Sequence, residues 1–287
     1  MSNSAFIKSS IAKKYWMALT GLFLCLFLVG HLIGNLQLII KTGEEGRRAF
    51  NEYAYFMTHN PAVMVLSYLT YFSILFHAID GIALFIQNKK ARPVSYAYNK
   101  PSANSSLPSR YMALLGTIVL VFIATHMSNF WWKMKVSDEV PMHTYIAKAD
   151  KNTPFEVDKT EFYFTQSGLY PKDSSRVTEK GLDLYMKGTN VKLTTGYKDL
   201  HTVVMDFFSK NNNSDSGVPL GLLGMLFYVF SMAVLGFHLW HGFASAFQSI
   251  GLNHPKYTPL IKMFGRGYAV VVPLLFAIIP ILIYLNS

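Results

Sequence analysis

Five stretches of nearly unbroken apolar residues, at 15–40, 61–88, 110–134, 218–250 and 267–286, alternate with polar segments, one of them long. A helix rises 1.5 Å per residue, so about 20 apolar residues cross ~30 Å of hydrocarbon. Every stretch reaches that length, and several exceed it, which predicts tilt or projection beyond the bilayer. Runs such as Ala113 to Phe122 and Val270 to Leu285 are apolar on every face, unlike the helices of a soluble bundle. The pattern predicts an all-α membrane protein of five transmembrane helices. Residues 1–135 would hold helices 1–3, residues 136–216 a polar insert, and residues 217–287 helices 4–5. Pro273 and Pro280 fit inside the last span because packed neighbours can satisfy the freed carbonyls. The first stretch exceeds the 7–15 residues of a signal-peptide core, and no small-x-small cleavage site follows it.

Composition agrees: 51% of residues are hydrophobic and only 15% charged. The net charge of +10 is unevenly spread. Lys8, Lys13 and Lys14 precede the first span. Lys89, Lys90, Arg92, Lys100 and Arg110 lie between the second and third, and Lys256, Lys262 and Arg266 between the fourth and fifth. These three segments contain no Asp or Glu and fall on one side if the spans alternate. The positive-inside rule makes that side cytoplasmic. The expected topology is therefore multi-pass in a bacterial inner membrane, with the N-terminus cytoplasmic and the C-terminus and insert periplasmic. Topology accounts for the charge without nucleic acid. The lone cysteine, Cys25, lies within the first span and can form no intrachain disulfide.

The insert is mildly acidic. Phe155 to Phe164 alternates weakly like a strand, Lys198 to Phe208 has helical spacing, and Asn211 to Gly217 reads as a flexible return to the membrane. It shows no metal motif, nucleophile set or phosphate loop. The expectation is a small cap over the outer mouth of the bundle.

Candidate chemistry lies inside the spans. His31, His77, His126 and His238 each sit deep in a separate apolar stretch, where an imidazole is costly without a partner or purpose. Counted along the helices, His31 and His126 lie about 24 Å from the cytoplasmic starts of their spans. His77 and His238 lie about 16 and 18 Å from the cytoplasmic ends of theirs. The four sort into an outer pair, His31 with His126, and an inner pair, His77 with His238. Four axial ligands hold two haems. Gly34, Gly81 and Gly242, one turn along the same faces, leave room for a flat ligand, although ordinary helix packing also favours glycine there.

Other intramembrane polar groups are weaker candidates. His241 shares a face with His238 and competes with it as a ligand, or contacts a propionate or quinone. Asp80, one turn past His77, is the only acid in any span; it orients a ligand, relays protons or stays protonated in a pocket. Asn35 and Asn129 are expected to bond between helices. His59, His143, His201 and His254 are expected to be solvated. Phe130, Trp131 and Trp132 mark an outer aromatic belt, and Tyr15 and Trp16 an inner one.

The run from Ala18 through His31 to Asn35 resembles the first span of the di-haem cytochrome b anchor of succinate:quinone oxidoreductases and fumarate reductases. Phe76-His77-Ala-Ile-Asp-Gly81 is similar to that family's second span and Ala124-Thr-His126-Met127 to its third. His238-Leu-Trp-His-Gly242 matches a fourth-span pattern of histidine followed four residues later by glycine, which selects His238 over His241. The resemblance covers all five spans and fails over the insert.

The resemblance implies a haem-binding bundle with two haem b groups, whose iron ligands are His31, His77, His126 and His238. The chain itself would carry no dicarboxylate site. A flavoprotein subunit with FAD and an iron–sulfur subunit would dock on the cytoplasmic face. Electrons would cross the haems to a quinone, with menaquinone suggested, reacting near the outer pair. Glu52 lies closest to an acid that lines the quinone cavity in some members. A glutamate that some members place two residues before the fourth histidine is Gly236 here, so that proton route does not carry over. The same anchor serves fumarate reduction, and the complex has room to form a homo-oligomer. A cytochrome b of another dehydrogenase, often with two ligands on one helix, and a membrane transporter are the alternative classes. A transporter would usually show an internal repeat, and none is evident.

Overall fold

The computed structural model describes residues 9–91, 93–94, 100, 105–147 and 160–287. Lys8, Arg92 and residues 155–159 of the strand-like segment lie outside the described residues.

Five helices are long and apolar enough to cross a membrane: α1 (Ser10–Ile40), α3 (Pro61–Lys90), α5 (Met112–Lys135), α7 (Leu220–Ser249) and α8 (Thr258–Asn286). The protein is an all-α membrane protein with a small β-rich insert. Two spans are longer than hydropathy indicates. α1 begins at Ser10, ahead of residue 15, and α8 at Thr258, ahead of residue 267. Hydropathy marks the hydrocarbon segment, whereas Lys13, Lys14, Lys262 and Arg266 continue the helices with their polar ends in reach of water. Pro273 and Pro280 both lie buried inside α8.

The segment after α1 is a 17-residue helix, α2 (Gly43–His59), which hydropathy alone does not reveal. Gly43 turns the chain with φ +66°, a conformation that favours glycine. Glu44 and Glu45 in the first turn of α2 suit the positive end of its dipole. Asn60 then caps α3, accepting from the amides of Ala62 and Val63, with Pro61 in the first turn. A one-turn helix, α4 (Leu107–Arg110), precedes α5. Directly after His126, α5 opens into a π-helical turn over Met127–Trp131.

Two three-stranded antiparallel sheets form the insert. The first contains β1 (Thr144–Ile146), β2 (Glu161–Thr165) and β3 (Gly168–Pro171); the second contains β4 (Val177–Lys180), β5 (Asp183–Met186) and β6 (Lys192–Thr195). A bridge between Thr165 and Gly196 joins them, and Leu184, Tyr163 and Met142 form a small core. Helix α6 (Leu200–Phe208) follows, capped by Asp199, and returns the chain to the bundle.

The core of the bundle is uneven. Leu32, Leu38, Phe208, Tyr228, Val272, Ile279 and Ile283 form one cluster; Cys25, Met232, Leu235, Leu239, Phe243, Ala269 and Ala277 form another. These residues come from α1, α6, α7 and α8. By contrast, the Met112–His126 part of α5 buries no residue, and α3 buries only Thr70, Ser73 and Leu84. Two of the five spans therefore leave much of their surface uncovered by protein.

Candidate functional site

The histidines of the spans meet in two pairs, each joining a helix of the tight core to one of the loosely packed helices. At one level of the bundle, the outer one in the expected topology, His31 of α1 and His126 of α5 have ring centroids 5.8 Å apart and planes at 84°. At the other level, the inner one in that topology, His77 of α3 and His238 of α7 are 6.1 Å apart with planes at 66°. All four are half-buried. Among the described residues no group of three or more His, Cys, Asp or Glu gathers to hold a bare metal ion. Each site instead brings together two imidazole rings.

Of the four rings, His77 makes the shortest hydrogen bond. His77 Nδ1 lies 3.0 Å from the carbonyl oxygen of Met17 and 3.5 Å from Thr20 Oγ1. Donation from Nδ1–H to that carbonyl fixes the tautomer and leaves Nε2 as the lone-pair donor. His238 Nδ1 is buried with no hydrogen-bond partner, a costly state for a polar atom. Two glycines receive these rings. A Cβ on Gly21 would stand 3.1 Å from Cε1 of His77, and one on Gly116 would stand 3.6 Å from Cε1 of His238. Sequence reading passed over both. Their signal was depth: each lies six residues into its apolar stretch, level with His77 and His238.

Around the outer pair, His126 sits among Phe122, Phe130 and Tyr228. Tyr228 Oη is 3.5 Å from His126 Nδ1 and accepts from Asn129 Nδ2 at 3.3 Å. Phe27 stacks on His31 at 5.3 Å. Asn129 thus bonds between helices as expected, whereas Asn35 does not. Its Nδ2 donates to the carbonyl of His31 one turn back, at 2.8 Å, and lies 3.4 Å from that ring's Nδ1.

The glycines expected to make room behave differently from one another. Gly81 and Gly242 face open space, where a Cβ would meet nothing within 4 Å. Gly34 is covered: a Cβ there would overlap the ring and hydroxyl of Tyr53 from α2. His241 is half-buried and makes no ring contact with His77, so the structure brings His238 and not His241 to the inner partner. Asp80 is half-buried near the inner pair, within electrostatic reach of Lys13 and His77. Glu52 lies on α2 at the outer side, half-exposed and paired with Arg48 at 3.3 Å.

A second polar cluster, which no local sequence pattern signals, joins α2 to the insert. His143, expected to be solvated, is fully buried. Its Nε2 meets Glu44 Oε1 at 2.5 Å and its Nδ1 meets Asn51 Nδ2 at 3.2 Å. The Asn51 amide donates also to Asp199 Oδ1 at 3.0 Å and accepts from the His201 amide at 2.9 Å. Its orientation is therefore fixed, Nδ1 of His143 is an acceptor, and Nε2–H donates to Glu44. Arg47 Nε donates to both Asp199 oxygens, and its Nη1 donates to Glu44 and to the Thr144 carbonyl. Burial pushes the His143 pKa down, with the Glu44 hydrogen bond opposing in part. Burial alone would raise the Asp199 carboxyl, but hydrogen bonds from Arg47, Asn51 and Thr202 hold it at about 2.

No family model, curated protein or solved structure matches this chain.

Proposed function

We propose that this chain is the di-haem cytochrome b anchor of a succinate:quinone oxidoreductase, sited in a bacterial cytoplasmic membrane with its N-terminus inside. The observation that carries the reading is the facing of His31 with His126 and of His77 with His238 at 5.8 and 6.1 Å. Two imidazoles brought this close could both ligate one metal ion held between them. Two-imidazole donor sets suit an iron whose remaining ligands come from a macrocycle. The unpartnered His238 Nδ1 marks a ring that lacks a partner in the protein, and the uncovered surfaces of α3 and α5 with the open space at Gly81 and Gly242 fit bulky apolar groups between the helices.

When bound, the two haem irons supply one-electron transfer across the membrane. The chain's own residues hold and tune them. Met17 and Thr20 orient His77, and the aromatic rings around His126 exclude water from the outer pair. Basic residues at the cytoplasmic ends, including Lys13, Lys14, Lys89, Lys90, Lys256 and Lys262, form the surface for an iron–sulfur subunit, which a flavoprotein subunit accompanies. Glu52 places a carboxylate at the outer side, where quinone, menaquinone by resemblance, would exchange protons. The same anchor would serve fumarate reduction in the reverse direction.

The test is haem stoichiometry by pyridine haemochrome on the purified chain, with His31, His77, His126, His238 and His241 each changed to alanine. Two b haems per chain, with loss from the first four variants and retention in His241→Ala, is the expected result. A preparation without haem sinks the reading and brings the transporter class forward. Dependence on His241 in place of His238 would favour a cytochrome b of another dehydrogenase.

A further inference from the structure

Resting on the haem reading, we propose that Lys198 and Asp199 form a clasp through which the insert positions the outer histidine pair and leaves the inner pair untouched. The two residues are adjacent in sequence and hold different parts of the bundle. Lys198 Nζ donates to the carbonyls of Lys133, Met134 and Ser137 at 3.3, 3.1 and 2.7 Å. A cation there satisfies orphan carbonyls at the C-terminal end of α5 and complements its dipole. α5 is the helix of His126, and the π turn Met127–Trp131 lies between that ligand and the capped end. π turns are rare and cost regular hydrogen bonding, so a pinned end steadies the turn.

Asp199 takes the other element. It accepts from Arg47 and Asn51 of α2 and from the Thr202 amide of its own helix. The anchored α2 lays Tyr53 against Gly34, three residues past His31 and on its face of α1. The backbone between the two grips is itself paired: the His143 amide donates to the Tyr197 carbonyl at 2.8 Å and the Asp199 amide to the Pro141 carbonyl at 3.0 Å. Beyond it, α6 sets Phe207 5.2 Å from Phe130 in the π turn. One dipeptide of the insert thus holds α5 directly and α1 through α2 and Tyr53. The inner rings contact Met17, Thr20, Gly21 and Gly116, none of which touches the clasp.

Lys198 and Asp199 are positioning residues, and the readout must separate them from general stabilisers. The experiment uses the full chain in detergent with Lys198→Met, Asp199→Asn and the conservative Lys198→Arg. Each haem's electron paramagnetic resonance signal and midpoint potential are followed, the outer one identified as the signal missing from His126→Ala. Lys198→Met and Asp199→Asn are expected to shift the outer signal and potential or to halve outer occupancy, with the inner haem unchanged and Lys198→Arg close to wild type. Parallel change at both haems, or change at neither, overturns the clasp. Amide hydrogen exchange is measured on the same variants freed of haem, where residues 127–131 should exchange about tenfold faster than wild type. Unchanged exchange there overturns the clasp whatever the haem content. A wild-type chain that never binds haem defeats the functional reading separately.

Discussion

Nδ1 of His77 lies 3.0 Å from the carbonyl oxygen of Met17, one turn before Gly21 on the adjacent helix. The contact turns the imidazole so that its edge rests over Gly21, where a Cβ would stand 3.1 Å from Cε1. That separation is tighter than ordinary packing, and both the ring and the α1 backbone are fixed by the hydrogen bond. The matching site on α5 is looser, because a Cβ on Gly116 would meet His238 at 3.6 Å, an ordinary contact. On the haem reading proposed above, Gly21→Ala should therefore lower inner haem content or broaden its spectrum, whereas Gly116→Ala should leave both haems intact. Haemochrome titration of the two variants decides it; equal behaviour would show that neither glycine is fitted to a ring.

Asn51 is 1% exposed and holds three partners at once. Replacing it with leucine leaves the His201 amide, His143 Nδ1 and one Asp199 lone pair without their partner in a site with little water. Each unsatisfied buried group costs about 1–3 kcal/mol. Asn51→Leu should cost at least ~3 kcal/mol on the same scale, read as a large fall in the thermal midpoint in detergent. Arg176→Ala, at an exposed pair with Asp173, should change the midpoint little, since such pairs contribute about 0–1 kcal/mol. A mild Asn51→Leu variant would mean that water enters and replaces the lost bonds.

The five spans were legible because hydropathy over twenty residues has few other causes, and depth counting placed the four histidines in the two pairs that the structure brings face to face. α2 was not legible as a helix, because its seventeen residues mix Glu44, Arg47 and Arg48 with Phe50 and read as a polar loop. The Asn51–His143 contact spans 92 residues, and no local pattern foretells such a pairing. His143 looked solvated for the same reason. Burial of a loop histidine depends on which sheet covers it, here β2 through Phe164, whose ring lies 5.1 Å away. Gly34 was read as space for a ligand when Tyr53 fills that space. Glycine in a membrane helix signals close approach but does not say of what.

The cluster around His143 also sets a pH dependence. Its imidazole faces Glu44 and Arg47 of α2, Asp199 and His201 at the start of α6, and Phe164 of β2. The folded state keeps it neutral, with a pKa below the ordinary 6.5, because burial and the nearby Arg47 guanidinium both oppose a second proton. The unfolded chain takes that proton near pH 6.5, so the unfolded state binds more protons below that point. Stability is therefore fully present above about pH 6.5 and declines as pH falls toward the folded pKa. Asp199, held at about 2 against 3.8, loses its contribution only between about pH 4 and 2. Denaturation followed from pH 7.5 to 5 should show a decline that His143→Gln reduces. His201, also shifted down by burial, keeps part of the slope. An unchanged slope in His143→Gln would assign the effect to other groups.

The contact between Tyr53 and Gly34 gives the last expectation. A Cβ at residue 34 would overlap the Tyr53 hydroxyl and ring, and Tyr53 is borne by a helix that the Arg47–Asp199 pair fixes to the insert. α2 cannot retreat without breaking that pair, so Gly34→Ala should be costly, about 1–3 kcal/mol as for other overpacked sites. If the clash is specific, shortening the tyrosine removes its cause: Tyr53→Ala combined with Gly34→Ala should be more stable than the sum of the single effects predicts. A coupling of about 1 kcal/mol or more in that double-mutant cycle lies well above the scatter for independent sites. Additive effects would place Tyr53 elsewhere than against Gly34. On the haem reading proposed above, the outer haem signal offers a second readout of the same cycle. Displacing α1 three residues from His31 should perturb the outer pair in Gly34→Ala and restore it in the double variant, while the inner pair stays constant throughout.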